Sequence, residues 1–156
     1  RRADCPACSW ARDCAAFAAG VAADLPRRAP PKPRPTRHGV AFWLTRADGA
    51  VLLRCRPPSG LLGGMLELSG TPWGGAEWTS AAALAFAPAG VPWRRVPGAV
   101  RHTFTHFHLE LAVLTGQWGG GAGAISGHWT APADIERAGL PTVMKKAARL
   151  ALADPG

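Results

Sequence analysis

The sequence predicts an α+β fold, with elements in the order β-β-β-α-β-β-β-α, behind a cysteine-rich segment and a stiff linker. Three observations carry this. The chain has 156 residues, of which 47% are hydrophobic, enough for one domain with a sizeable core and an appendage. Nineteen glycines and fifteen prolines favour short strands and loops over a helical bundle, yet stop short of low complexity. Short apolar runs of strand type alternate with two Ala-rich stretches of helix type.

Three segments follow one another. Residues 1–25 hold three of the four cysteines and an Ala-rich stretch, Cys14 to Ala23, with good helix formers. Residues 26–37 carry five prolines, five basic residues and no acid. Proline fixes φ and removes the amide donor, so this segment reads as an extended linker. Residues 38–156 read as the globular domain. Val40–Leu44 and Val51–Leu53 are strand-like runs flanking Ala47-Asp48-Gly49, a hairpin signal. Gly60–Gly64 reads as a turn leading into a strand at Met65–Leu68. Residues 77–87 are expected to be helical and closed by Pro88-Ala89-Gly90. Further strands fit Arg94–Val100, Thr103–Leu114 and Gly127–Trp129, with a Gly-rich turn at Gly119–Gly123. In the run Thr103–Leu114, one apolar face is expected from Phe107 onwards. Asp134–Ala138 is a short helix, and Thr142–Ala153 is the closing one, with Pro141 just ahead of it.

No apolar run approaches the ~18–20 residues of a membrane span, and no apolar stretch follows the first charges as a signal peptide requires. The first residue is not Met, so an upstream part is expected to be missing. The formal net charge is +8, with +6 of it in residues 1–46. A basic end on a nearly balanced domain points to a polyanion, nucleic acid ahead of a membrane surface, or equally to a solvated, solubilising face.

Cys5, Cys8 and Cys14 are spaced C-x2-C-x5-C in a chain without a secretory signal, which favours metal over disulfides. Three thiolates are one short of a zinc or iron–sulfur set. Cys55 is expected to be a buried core cysteine, and the missing ligand to precede residue 1. The alternative is three free cysteines on a frayed terminus. Trp10 is expected to shield the sulfurs, and the other tryptophans to pack the core.

The cysteine spacing followed by a short helix resembles the end of the 4Fe–4S loop of helix-hairpin-helix DNA glycosylases, whose pattern is C-x6-C-x2-C-x5-C. Further motifs follow in order: Trp43–Gly49, Arg54-Cys55-Arg56-Pro57, Gly60–Leu68, Arg101–Leu109 and Leu140–Lys146. Together they resemble the C-terminal part of the MutY family of adenine DNA glycosylases, which act at adenine opposite 8-oxoguanine. The resemblance covers nearly the whole chain. It implies a Nudix-like mixed sheet flanked by helices, tethered by the linker to a catalytic helical domain that this chain lacks. It implies a 4Fe–4S cluster in the parent protein, held in part by Cys5, Cys8 and Cys14. It also implies a partner, double-stranded DNA containing 8-oxoguanine:adenine mispairs, bound by a monomer in the bacterial cytoplasm, at the nucleoid.

In that family a Phe-Ser-His motif after Arg-His-Thr reaches the 8-oxoguanine. The matching residues are Phe104, Thr105 and His106, with Thr in place of Ser. Thr keeps the hydroxyl and adds a methyl. Arg101 and His102 are implied phosphate contacts. Read without the resemblance, the same residues are an ordinary strand with a polar face.

A Nudix hydrolase needs G-x5-E-x7-R-E-U-x-E-E-x-G-U, whose glutamates hold metal against a diphosphate. Anchored on Gly90-Val91, the arginine and three later glutamates fall at Ala83, Leu84, Ala87 and Pro88. Glu77 is the one acid expected in that helix, and one carboxylate is too few for the metals. Hydrolysis is therefore expected to be lost, and the catalytic carboxylates of adenine excision lie outside the chain. Two other readings stay open: a diverged Nudix hydrolase acting on oxidised nucleotides, and a zinc-binding interaction module. Glu67 and Glu110 as a glycosidase pair carry little weight, because they lie in separate strands.

Overall fold

The structure, a computed structural model, describes residues 3–27, 29, 33–120 and 125–154. Parts of the expected linker and of the Gly-rich turn, residues 28, 30–32 and 121–123, lie outside the described residues. The chain divides into two compact units, Arg1–Pro33 and Arg34–Gly156.

In the first unit, α1 spans only Ala15–Ala18. The expected Ala-rich helix stops there because Gly20 turns the chain at φ 68°. A 3-10 turn, Ala22–Asp24, follows before Pro26. Trp10 stands 70% exposed rather than covering the cysteines.

The second unit is a mixed sheet flanked by helices, the α+β class the sequence predicts. Its strands are β1 (Thr36–Arg46), β2 (Val51–Cys55), β3 (Leu66–Gly70), β4 (Arg94–Arg95), β5 (Val100–Thr103), β6 (His108–Trp118) and β7 (His128–Thr130). Two helices cover it, α2 (Ser80–Leu84) and α3 (Thr142–Leu152). The sheet order is β4-β6-β1-β3-β2-β7, with β5 also on β6. β1 and β6 run parallel along their whole length, from Thr36 beside His108 to Arg46 beside Trp118. All other pairings are antiparallel.

The run Val40–Leu44 is apolar without alternation because the centre of β1 is buried on both faces. Ala41 and Trp43 join the larger core cluster with Val143, Met144 and Ala147 of α3. Val40 and Phe42 point the other way, into a smaller cluster with Ala83 of α2 and Leu114. Trp93 closes that side, its ring 4.9 Å from Phe42 in edge-on contact. The Asp48-Gly49 hairpin forms as read: Gly49 takes φ 81°, and Asp48 accepts from the Ala50 amide at 3.1 Å. The Arg46 guanidinium, then the Ala50 amide, draw the Asp48 carboxyl down to about 2.

Several expectations change. β1 starts at Thr36, inside the expected linker, as soon as Pro35 is passed. The run Thr103–Leu114 is not one strand; it turns back at 104–107 to make two, and β6 then continues to Trp118. The apolar face from Phe107 does hold, with Phe107, Leu109, Leu111 and Val113 all buried. α2 is shorter than expected, because Thr79 caps it by accepting from the Ala82 amide. Glu77 therefore lies ahead of α2, not in it. Cys55 is exposed, because β2 runs out of the core after Leu53. Asp134–Ala138 is replaced by a 3-10 turn at Pro132–Asp134 and further turns.

The end of β3, paired beside β1, leaves no room for a side chain at Gly70. A Cβ there would stand 2.5 Å from the Val40 carbonyl oxygen, which is backbone and cannot swing away. Gly70→Ala is expected to cost about 1–3 kcal/mol in denaturant unfolding. Gly90→Ala, whose Cβ would meet nothing within 4 Å, is expected to be near neutral.

Candidate functional site

The hairpin between β5 and β6 presents the loop the sequence singled out. Thr103 and His108 face each other across it, with the Thr103 hydroxyl 2.8 Å from His108 Nδ1. The Phe104 amide donates to the Phe107 carbonyl at 2.9 Å, which closes the loop. Thr105 and His106 are left exposed at its tip. Phe104 faces inward and packs against the larger core cluster. Its ring lies 4.7 Å from His102, 4.8 Å from Phe107 and 5.7 Å from Trp73. The tip thus stands on an aromatic base, which limits its freedom to move.

Trp73, Arg37 and Arg56 complete this base, and of these only Arg56 lies in one of the quoted motifs. Trp73 is held by the strand-like bridge between His38 and Gly74, where the Gly74 amide donates to the His38 carbonyl at 3.1 Å. Its ring crosses β1 at Gly39, where a Cβ would come within 2.6 Å of Trp73 Cδ1. The Arg37 guanidinium lies 4.4 Å above the Phe107 ring, and that of Arg56 lies 5.3 Å from the Trp73 ring. Arg37 was hidden in the basic run of the linker, and Trp73 among seven tryptophans. The pairing Arg-x-Arg ahead of Pro57 was the available signal for Arg56.

Beside this base opens a cleft of about 460 Å³, lined by Arg37, Arg54, Arg56, Glu67, Trp73 and Phe86 among others. Glu67 is buried, its side chain 4% exposed. Arg54 Nε donates to one of its carboxylate oxygens at 2.8 Å, and Arg56 Nη1 donates to the other. The three form one ion network on adjacent antiparallel strands, β2 and β3. A buried carboxylate needs such partners, since desolvation of a lone charge is costly.

Of the two implied phosphate contacts, Arg101 is paired across the hairpin, its Nε donating to Glu110 at 2.9 Å. It remains largely exposed, with N–H groups still available. His38 Nδ1 lies 4.0 Å from the other Glu110 oxygen. His102 is partly buried against Phe104. Burial, and then the charge of Lys146, lower its pKa below the usual 6.5. Lys146 is fixed nearby by donating to the Arg101 carbonyl at 3.0 Å.

Elsewhere the chemistry is thinner. Ala83 is buried on α2, Leu84 is exposed beside it, and Ala87 and Pro88 follow the helix, so none of these positions offers a carboxylate. Glu67 and Glu110 are each committed to arginines. Cys5 and Cys14 are half-buried and Cys8 is exposed. Among the described residues, no three His, Cys, Asp or Glu side chains are gathered as a metal ion requires. The three cysteines alone therefore do not fit a four-thiolate cluster. Among the described residues, no helix is long and apolar enough to cross a membrane.

A mixed sheet flanked by helices carries an exposed loop beside a cationic cleft, an α+β domain. A family model described as the NUDIX domain matches residues 40–150, and the chain belongs to that family. Several solved structures share the fold. The C-terminal domain of mouse MUTYH, solved in complex with human PCNA, is 22% identical, with a TM-score of 0.57 over 74% of this chain and 87% of that one. The MutT protein from Methanosarcina mazei Go1 is 17% identical, with a TM-score of 0.60 over 76% of this chain and 95% of that one. The NUDIX domain of Shewanella oneidensis NrtR, solved with ADP ribose, is 16% identical, with a TM-score of 0.59 over 83% and 96%. At these identities each likeness speaks for the fold alone.

Two tests follow from the geometry. The double variant Arg54→Gln/Arg56→Gln strands the buried Glu67 carboxylate and is expected to cost about 3–5 kcal/mol. Adding Glu67→Gln should then recover most of that loss in denaturant melts. For His102, the folded state favours the neutral ring. Its contribution to stability is complete above pH 6.5 and is lost as pH falls through the lowered pKa. An NMR titration should find the His102 midpoint below 6.5, and Lys146→Ala should raise it.

Proposed function

We propose that this chain is the lesion-recognition part of a MutY-type adenine DNA glycosylase. It binds duplex DNA at adenine opposite 8-oxoguanine and cleaves no bond itself. The observation that carries this reading is the exposed Thr105-His106 tip on its aromatic base, beside an arginine-lined cleft. The base differs from guanine by O8 and a protonated N7. A hydroxyl at Thr105, with a backbone amide beside it, can pair with that edge at short range. Phe104 anchors the tip, and His106 is free to donate to the base or a phosphate. The likeness in fold to the C-terminal domain of mouse MUTYH supports the reading.

The parent enzyme would supply the excision carboxylates and a fourth thiolate for a 4Fe–4S cluster with Cys5, Cys8 and Cys14. The parent would work where DNA lies, at the nucleoid of a bacterial cytoplasm. The second reading, a diverged hydrolase of oxidised nucleotides, draws on the cleft itself and on the likeness in fold to a MutT protein. Against it stand Ala83, Leu84, Ala87 and Pro88, where metal-holding hydrolysis needs charged side chains.

The test is binding to matched duplexes with 8-oxoguanine:adenine or guanine:adenine. Thr105→Ala is expected to reduce the lesion preference about three- to tenfold, the worth of one hydrogen bond, without lowering the melting temperature. Magnesium-dependent phosphate release from 8-oxo-dGTP by the wild-type chain would overturn the reading in favour of the hydrolase.

A further inference from the structure

Resting on that reading, we infer that the cleft formed by Arg37, Arg54 and Arg56 is a groove for the sugar–phosphate backbone of one DNA strand. It would extend the interface beyond the Thr105-His106 tip. The lining sets three guanidiniums against one carboxylate, Glu67, which leaves two positive charges facing a cleft of about 460 Å³. The carboxylate is buried and serves to fix the arginines rather than to repel a ligand. Arg54 and Arg56 each spend one nitrogen on Glu67. A guanidinium has about five N–H donors, so both keep donors for phosphate oxygens. Their holding in advance reduces the entropy lost on binding.

Continuity with the reading loop points to a strand rather than a small anion. Arg37 belongs to both features: it lines the cleft and lies over Phe107 at the foot of the loop. Trp73 does the same, lining the cleft and packing 5.7 Å from Phe104. A backbone leaving the base read at the tip would meet Arg37 first and then Arg54 and Arg56. Leu61 and Phe86, both exposed, also line the cleft and offer apolar surface to sugars.

The experiment compares the full chain with Arg37→Gln/Arg54→Gln, which leaves Arg56 on Glu67 and so avoids a stranded carboxylate. Thermal melting establishes that the variant folds. Duplex affinity is measured for 8-oxoguanine:adenine and guanine:adenine across a range of salt. The variant should bind both duplexes about tenfold more weakly and show a shallower salt dependence. The slope of log affinity against log salt should fall in magnitude by about two, one for each phosphate no longer neutralised. Unchanged affinity and slope in a folded variant would overturn the groove while leaving the lesion-reading function intact. Titration with 8-oxo-dGMP separates a strand from a free nucleotide. Binding of the nucleotide that the two substitutions abolish, with duplex binding untouched, would also overturn the groove. If the wild-type chain binds neither duplex, the underlying function fails first and the groove with it.

Discussion

The site depends on the parallel pairing of β1 with β6. That pairing starts at the rim of the sheet, Thr36 beside His108, so Arg37 is carried to the foot of the loop that precedes β6. On its other edge β6 holds β5, which closes the loop. On its other edge β1 holds β3, which leads into the segment that carries Trp73. Loop, arginine and tryptophan come from three distant stretches of sequence, and two adjacent strands bring them together. Register is stringent here because β1 is buried on both faces. A slip of one residue would exchange Ala41 and Trp43 with Val40 and Phe42 between two cores of different size.

Where local chemistry decides the structure, it was legible in the sequence. Asp48-Gly49 makes its hairpin because positive φ and an Asx contact are both available within four residues. Thr142–Leu152 makes its helix because Pro141 can begin one, and Val143, Met144, Ala147 and Ala151 lie on one buried face. The loop Phe104-Thr105-His106 was found by its resemblance to a motif. Its shape was not found, because alternation of polar and apolar residues continues through a tight hairpin as readily as through a strand. Cys55 illustrates the same limit. Its neighbours are apolar on one side only, and whether a strand end stays inside the core depends on what pairs beyond it. The roles of Arg37, Arg56 and Trp73 are not legible locally because partners elsewhere along the chain set them: Phe107, Glu67 and Gly39.

The helix α2 packs an apolar side chain where the Nudix pattern calls for charge. In a hydrolase the residues around this helix would present charged groups to metal and diphosphate. Here Ala83 is buried in the smaller core with Val40, Phe42 and Leu114, and Thr79 caps a helix of five residues. A charged side chain at Ala83 would have to be desolvated against the apolar cluster of Val40, Phe42 and Leu114. The helix props β1, the strand that carries Arg37, through this apolar contact.

Glu67 marks the opposite case, a carboxylate that the fold keeps. It sits on β3, buried, with Arg54 and Arg56 reaching it from the neighbouring strand. Buried ion pairs contribute little net stability compared with a well-packed apolar cluster, so their value lies in the geometry they impose. What this one imposes is the direction of two guanidiniums along the wall of the cleft. An apolar residue at this position would pack as well, but it would free both arginines to extend into solvent, where each samples many rotamers. The sheet thus carries one buried carboxylate whose effect is to orient two cations. Two guanidiniums oriented over a buried carboxylate suit the proposed hold on an anionic chain.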